Sequence, residues 1–284
     1  MMTYLIPVFL KLIFIPIFSL SPFFMQTSTI SFGIDKSVGV VEVKGAITED
    51  MRKTTVKDLA KFRRSRNVKA IVLRIESPGG GVSASQEIFN EVKRIRKAGK
   101  PIYASMGSIA ASGGYYIAAP CDRIFANPGT ATGSIGVIME IPNVEKLLEK
   151  VGVYFMVIKS DEHKDIGSPF REMSDVEEEL LKSVIIDVYN QFVDAVVTER
   201  RLEREDVLRV ADGRILTGRQ ALEAGLVDEL GDVQDAILAA AEAVGIKGKP
   251  RVVVPKKKQT LMDIIGIQTL LDEYVLTTIR LQYR

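Results

Sequence analysis

Lys69-Ala70-Ile71-Val72-Leu73-Arg74-Ile75-Glu76-Ser77-Pro78-Gly79-Gly80-Gly81 passes from strand chemistry straight into loop chemistry. Ile71, Leu73 and Ile75 alternate with other residues, the two-residue period of a strand that buries a face. Ser77 to Gly81 then breaks any regular element, because proline lacks an N–H donor and glycine opens positive φ. A helix is predicted to follow. Ser83 is placed to cap it, with Gln86 at the capping-box position. Ile88, Val92 and Ile95 mark its buried face, and Gly99 ends it.

The same strand-helix unit recurs on both sides. Upstream, Val38 to Val43 is a predicted strand rich in β-branched residues, followed by a helix from Met51 to Arg64. Downstream, a short strand at Pro101–Ala104 feeds Met106-Gly107-Ser108-Ile109-Ala110-Ala111-Ser112-Gly113-Gly114, and an apolar helix runs to about Ala119. Arg123–Ala126 and Tyr154–Ile158 also have strand character. Ser174–Arg200 is the longest predicted helix. Ser174 and Glu177 form a capping box there, and Leu181, Val184, Ile185, Val188, Phe192 and Val196 form its apolar stripe. Asp212–Gly231 has the pattern of a strand-turn-helix-strand unit, and Val233–Val244 that of a final domain helix. Alternation of this kind predicts α/β layering.

The chain has 284 residues, enough for one large domain with appendages or two small ones. Apolar residues make up 46% and charged residues 26%, so a sizeable core is expected. The net charge of +2 gives no electrostatic case for a nucleic-acid partner. Cys121 is the single cysteine, which excludes an internal disulfide and a cysteine metal cluster. No base lies near it in sequence, so it is expected to be a buried structural thiol.

Three segments are expected. Residues 1–36 contain a hydrophobic membrane anchor and linker. Lys11 is the one charged residue up to Ile34, and Tyr4–Met25 reaches the length a spanning helix needs, about 20 residues. A cleaved signal peptide is the competing reading, but it ends in small residues and no alanine precedes Ala46. Residues 37–255 form the main domain. After Lys256-Lys257-Lys258, residues 256–284 form an amphipathic tail carrying Leu261, Ile264, Ile265, Leu270, Leu271 and Val275. That tail packs on the domain, on a neighbour or on a membrane surface.

Three loops carry candidate chemistry. The Ser77–Gly81 loop can turn backbone N–H groups toward an anion, or serve only as a turn; it lacks the Gly-Lys-Ser/Thr ending of a phosphate loop. Ser112 sits at a strand-to-helix junction among small residues, where it is either a nucleophile or an N-cap. Lys159-Ser160-Asp161-Glu162-His163-Lys164-Asp165-Ile166 is a polar loop whose default role is solvation.

Taken together, these loops resemble a known family. Met106–Tyr116 is similar to the nucleophile motif of the signal peptide peptidase A family, short bacterial and archaeal form. Ser77–Gly81 resembles its oxyanion loop, Thr132-Gly133-Ser134-Ile135-Gly136-Val137 its next landmark, and Lys159-Ser160 followed by His163-Lys164-Asp165-Ile166 and Ser168-Pro169 its base loop. Asp212-Gly213-Arg214, Gly218, Ala221, Leu226-Val227-Asp228 and Gly231 resemble its C-terminal signature. The resemblance covers roughly Val38 to Gly245. It implies a Clp-peptidase/crotonase-like superhelix of repeated β-β-α units, one anchor helix per chain, a homo-oligomeric ring, peptide substrates and no cofactor or metal. Residue by residue it implies Ser112 as nucleophile, Lys164 as general base, Gly80 and Gly113 as oxyanion donors and Ser134 as the residue that orients the lysine. It also implies cleaved signal peptides or other short hydrophobic peptides as substrates, with the catalytic domain outside the cytoplasm.

A lysine acts as a base only as the neutral amine. Asp161, Glu162 and Asp165 must therefore point away from Lys164, since a paired carboxylate favours the charged form. Three rivals stay open on the sequence. His163, the single histidine, would be the base of a Ser-His-Asp peptidase. A crotonase-like acyl-CoA enzyme would use the same oxyanion loop. A non-catalytic membrane scaffold would use Ser112 as a cap.

Overall fold

The computed structural model describes residues 36–255. The predicted anchor, apart from Lys36, and the 256–284 tail lie outside the described residues. Among the described residues no helix is long and apolar enough to cross a membrane.

The described chain is a mixed α/β structure around one sheet. In chain order it contains β1 (Ser37–Lys44), α1 (Glu49–Arg64), β2 (Val68–Ser77), α2 (Val82–Lys97), β3 (Ile102–Ala111), α3 (Gly113–Ala118), β4 (Arg123–Ala126) and β5 (Ala131–Gly133). Then follow α4 (Glu145–Val151), α5 (Asp175–Arg200), α6 (Arg204–Leu208), β6 (Ile215–Thr217), α7 (Gly218–Glu223), β7 (Glu229–Leu230), α8 (Val233–Ala243) and β8 (Arg251–Val253). The main strand order is β6-β5-β3-β2-β1-β8, with β4 on β3 and β7 on β4. Every pairing is parallel except β5 with β6.

Burial follows the strand period. On β2, Ile71, Leu73 and Ile75 face one core with Ile88, Val92 and Ile95 of α2 and Leu59 and Phe62 of α1. Ala70 and Val72 face the other way, against Ala236, Ile237, Ala240 and Ala241 of α8. Both faces of β2 are covered, which is why its sequence is nearly continuously apolar.

The branching of β3 builds the site. Its first half pairs with β2 and β4 from Ile102 to Met106, whereas Ile109–Ala111 pair with β5. Its register against β2 slips between Ile75 and Ser77. The Glu76 carboxylate fills the slip, accepting the N–H groups of Ser108 at 2.9 Å and Ile109 at 3.2 Å. Ser112 therefore emerges where three strands end together.

Three expectations are corrected. Tyr154–Ile158 forms no strand; it is irregular and exposed, with Tyr154 at 86%, Met156 at 90% and Ile158 at 92%. Its apolar residues find no sheet edge within the described chain, and pattern alone does not supply one. The N-cap of α2 is Gly81 without a side-chain cap, not Ser83, and Gln86 bonds to Tyr116 and Asn90 instead. The stripe of α5 is buried only toward its end, at Phe192, Val193 and Val196, while Val184 stays 51% exposed.

Candidate active site

Ser112 closes β3 and opens α3. Its backbone takes φ 51° and ψ −119°, a conformation that costs a residue with a side chain about 1–3 kcal/mol. The surroundings hold it there. Its N–H donates to Gly133 C=O at 2.9 Å, and its C=O accepts the Tyr116 N–H at 2.8 Å. The Thr132 hydroxyl donates to Ala110 C=O at 2.7 Å, fastening the strand end just before it. Ser134 is also at positive φ, 48°, with its N–H on Arg214 C=O at 2.8 Å. Among the described residues the other non-glycine position with positive φ is Arg201. Ser112 and Ser134 line one cleft, so backbone strain gathers there, as it does at functional sites.

The glycine loop lies against Ser112. Ile47 N–H donates to Gly79 C=O at 2.8 Å, and Gly81 N–H donates to Ile47 C=O at 2.9 Å. This isolated bridge leaves the Gly80 N–H free of Ile47. The Gly80 nitrogen lies 3.2 Å from where a Cβ on Gly113 would stand, and the Gly113 nitrogen lies 2.9 Å from where one on Gly79 would stand. The backbone nitrogens of Gly80 and Gly113 thus lie near one another beside Ser112.

All four residues, Gly80, Ser112, Gly113 and Ser134, line a cleft of about 550 Å³. Its wall is mostly apolar, with Ile135, Val188 and Phe192. Tyr116 stands on edge to Phe192, ring centroids 5.0 Å apart, and stacks on Phe89 at 4.7 Å. Its hydroxyl donates to Gln86. Burial pushes the Tyr116 phenol above its ordinary range, so it stays protonated and polarises nothing by charge.

Lys164 is elsewhere. It is exposed on a 3-10 turn, Glu162–Asp165, and does not line the serine cleft. Ser134 lines that cleft, and Lys164 is not among its lining residues. His163 is likewise exposed and away from the cleft. Two of the neighbouring carboxylates have other partners: Asp161 accepts the Glu162 N–H at 2.7 Å, and Asp165 pairs with Lys159 and Arg171. Among the described residues Lys164 makes no ion pair. Cys121 is 2% exposed, and burial drives its thiol far above the ordinary range, which matches the structural role expected of it.

Ser85 is a residue the motifs did not flag. It is 3% exposed, and its hydroxyl has no hydrogen-bond partner. It lies 2.6 Å from where a Cβ on Gly113 would stand. The signal was present in the helix period, because Ser85 shares the buried stripe of Ile88, Val92 and Ile95. One consequence is testable. Gly113→Ala drives its methyl into the Ser85 hydroxyl and displaces the adjacent N–H. Peptide hydrolysis is expected to fall by about 10²-fold or more with only a small drop in melting temperature. Parental rates in this variant would remove Gly113 from the site.

Comparisons with known proteins identify the family. The profile of peptidase family S49 matches residues 94–247, more than half of the chain. That stretch holds Ser112, Ser134 and Lys164. The chain belongs to the S49, or signal peptide peptidase A, family. A Clp protease profile also matches residues 29–131, which include Gly80. A Synechocystis protein named as a protease is 49% identical over 211 residues, covering 74% of this chain and 76% of that protein. An Enterococcus faecium protein named as a signal peptide peptidase SppA is 43% identical, covering 63% of this chain and 52% of its own length. Protease 4 of Salmonella typhi is 40% identical, covering 68% of this chain but 31% of its own length. The S49 chain thus spans about half or less of the latter two relatives. As a member of this family it is a serine protease.

Proposed function

We propose that this chain is a membrane-associated serine endopeptidase that forms an acyl-enzyme on Ser112 and uses Lys164 as its base. The observation that carries the reading is the strained corner at Ser112 beside the N–H groups of Gly80 and Gly113. The Ser112 hydroxyl attacks a peptide carbonyl while its proton passes to the neutral Lys164 amine. The two N–H groups stabilise the oxyanion. Lys164 then gives the proton to the leaving amine, and water hydrolyses the ester. The apolar wall of the cleft fits short hydrophobic peptides, including cleaved signal peptides; residues 1–36 fit a single anchor, and the family resemblance favours a domain outside the cytoplasm.

An exposed Lys164 needs a route to a serine. The arm that holds it, residues 152–174 between α4 and α5, carries Tyr154, Met156 and Ile158 bare to solvent, and α5 carries exposed Val184 and Ile186 beside the cleft. These apolar surfaces support a ring of copies in which one chain's arm lies over its neighbour's cleft. Docking takes the amine out of water, which favours the neutral form, and brings Ser134 within reach to orient it.

The test is a mixing experiment with a fluorogenic peptide. Ser112→Ala and Lys164→Ala are each expected to be inactive. Co-expressed, they should regain about a quarter of parental activity, the share of interfaces that join an intact serine to an intact lysine. An inactive mixture would place serine and lysine in one chain's site. Activity in Lys164→Ala alone would end the base assignment.

A further inference from the structure

Between α4 and α5 the described chain has no strand, yet one point of the arm is tightly built. Arg171 Nε donates to Asp165 Oδ2 at 2.9 Å and its Nη2 to Asp165 Oδ1 at 2.8 Å. The same guanidinium grips Glu177, with Nη1 on Oε2 at 2.7 Å and Nη2 on Oε1 at 2.5 Å. Glu177 is the capping-box residue of α5, accepting the Ser174 N–H at 3.1 Å. Lys159 Nζ adds a second cation on Asp165 Oδ1 at 2.6 Å and also bonds Glu162 C=O at 2.7 Å. A planar guanidinium bidentate to two carboxylates fixes both position and angle. The 3-10 turn is thereby pinned to the start of the longest helix, one residue from Lys164.

We propose that Arg171, with Asp165 and Glu177, is the positioning residue of the base: it fixes the Lys164 turn and keeps the adjacent Asp165 carboxylate from pairing with the lysine. This rests on the assignment of Lys164 as base. The titratable and charged groups around the turn are Lys159, Asp161, Glu162 and His163 on the same loop, Arg171 and Glu172 after it, and Glu177 of α5. Glu172 in turn lies 3.5 Å from Lys146 of α4. Only Asp165 is both next to Lys164 and held by two cations. Hydrogen bonds from Arg171, and then Lys159, hold the Asp165 carboxyl far below its ordinary value. Those from Arg171, and then the Ser174 backbone, hold Glu177 down to about 2. Both carboxylates stay ionised at any pH where a lysine base works, so the clamp does not itself titrate in the assay.

The experiment is a pH profile of kcat/KM for Arg171→Gln and for Arg171→Gln/Asp165→Asn, with folding followed by melting temperature. In Arg171→Gln the Asp165 carboxylate loses its bidentate anchor and keeps Lys159 alone, so it can swing toward Lys164 and favour the charged amine, and the acid limb is expected to move up by roughly one pH unit. In the double variant the limb should return to the parental position while kcat stays low in both. A limb that does not move in Arg171→Gln overturns the proposal and leaves Arg171 a structural residue. If that variant fails to fold, Asp165→Asn is read instead, since it leaves the Arg171–Glu177 pair in place. It should lower kcat about tenfold without an upward shift of the limb, and parental kcat would overturn the proposal. Lys164→Ala separates the two readings: full activity there removes the base assignment itself, whereas an inactive Lys164→Ala beside an unmoved Arg171→Gln limb removes only the clamp.

Discussion

Ser112→Ala is expected to lower peptide hydrolysis by roughly 10⁴- to 10⁶-fold, the loss seen when a serine nucleophile is removed and oxyanion donors remain. Ser112→Gly should lose activity equally but gain stability. The serine holds φ 51° and ψ −119°, and glycine adopts such a conformation without the side-chain penalty. The expected gain is about 1 kcal/mol, a rise of roughly 2–4 °C in melting temperature for a domain of this size. Opposite signs in activity and stability mark strain held for chemistry. A capping serine would behave differently: no hydroxyl cap bond is present at α3, so its loss would leave activity untouched. Hydrolysis within tenfold of the parent in Ser112→Ala would therefore remove the nucleophile assignment.

How much of this was legible in the sequence depends on how local the cause is. The parallel strands β1, β2 and β4 were readable because their apolar alternation or β-branched run is decided within a few residues. The Ser174–Glu177 capping box was readable for the same reason, and it is present. Gly80, Gly113, Ser112 and Ser134 were placed by motif resemblance, and the structure brings all four to one cleft. Lys164 shared that resemblance but not the convergence, because its loop has no ladder or core within the described chain to draw it in. The Tyr154–Ile158 run misled for a related reason. Its pattern records that these residues avoid water, not what they pack against, and in this chain they face solvent. Ser85 was hidden among apolar neighbours on a helix stripe, where a lone hydroxyl is easily taken for filler. The Arg171 clamp joins residues six apart through side chains, a spacing that belongs to no helix or strand period.

Gly80→Ala is the substitution expected to damage both the fold and the site. A Cβ there would lie 2.6 Å from Ile47 N and closer still to Ile47 O. These are backbone atoms and cannot rotate aside as a side chain would. Ile47 is 1% exposed, and its N–H and C=O are committed to Gly79 and Gly81. Relieving the overlap therefore breaks the Ile47 bridge or pushes Ile47 into the α1–α2 core. Overpacking with loss of buried backbone bonds places the cost at about 3–5 kcal/mol. Any molecules that remain folded carry a displaced Gly80 N–H, which lowers kcat by a further 10²-fold or so. Gly81→Ala is the matched control. Its Cβ meets Ile47 O at 3.6 Å and the Ala84 Cβ at 3.8 Å, ordinary contacts, and its backbone is already at φ −60°. Chemical denaturation should show Gly81→Ala within about 1 kcal/mol of the parent, the usual cost of losing a glycine N-cap. Equal stability in the two variants would mean that the Gly80 loop does not sit against Ile47, and Gly80 would then lose its proposed place as an oxyanion donor.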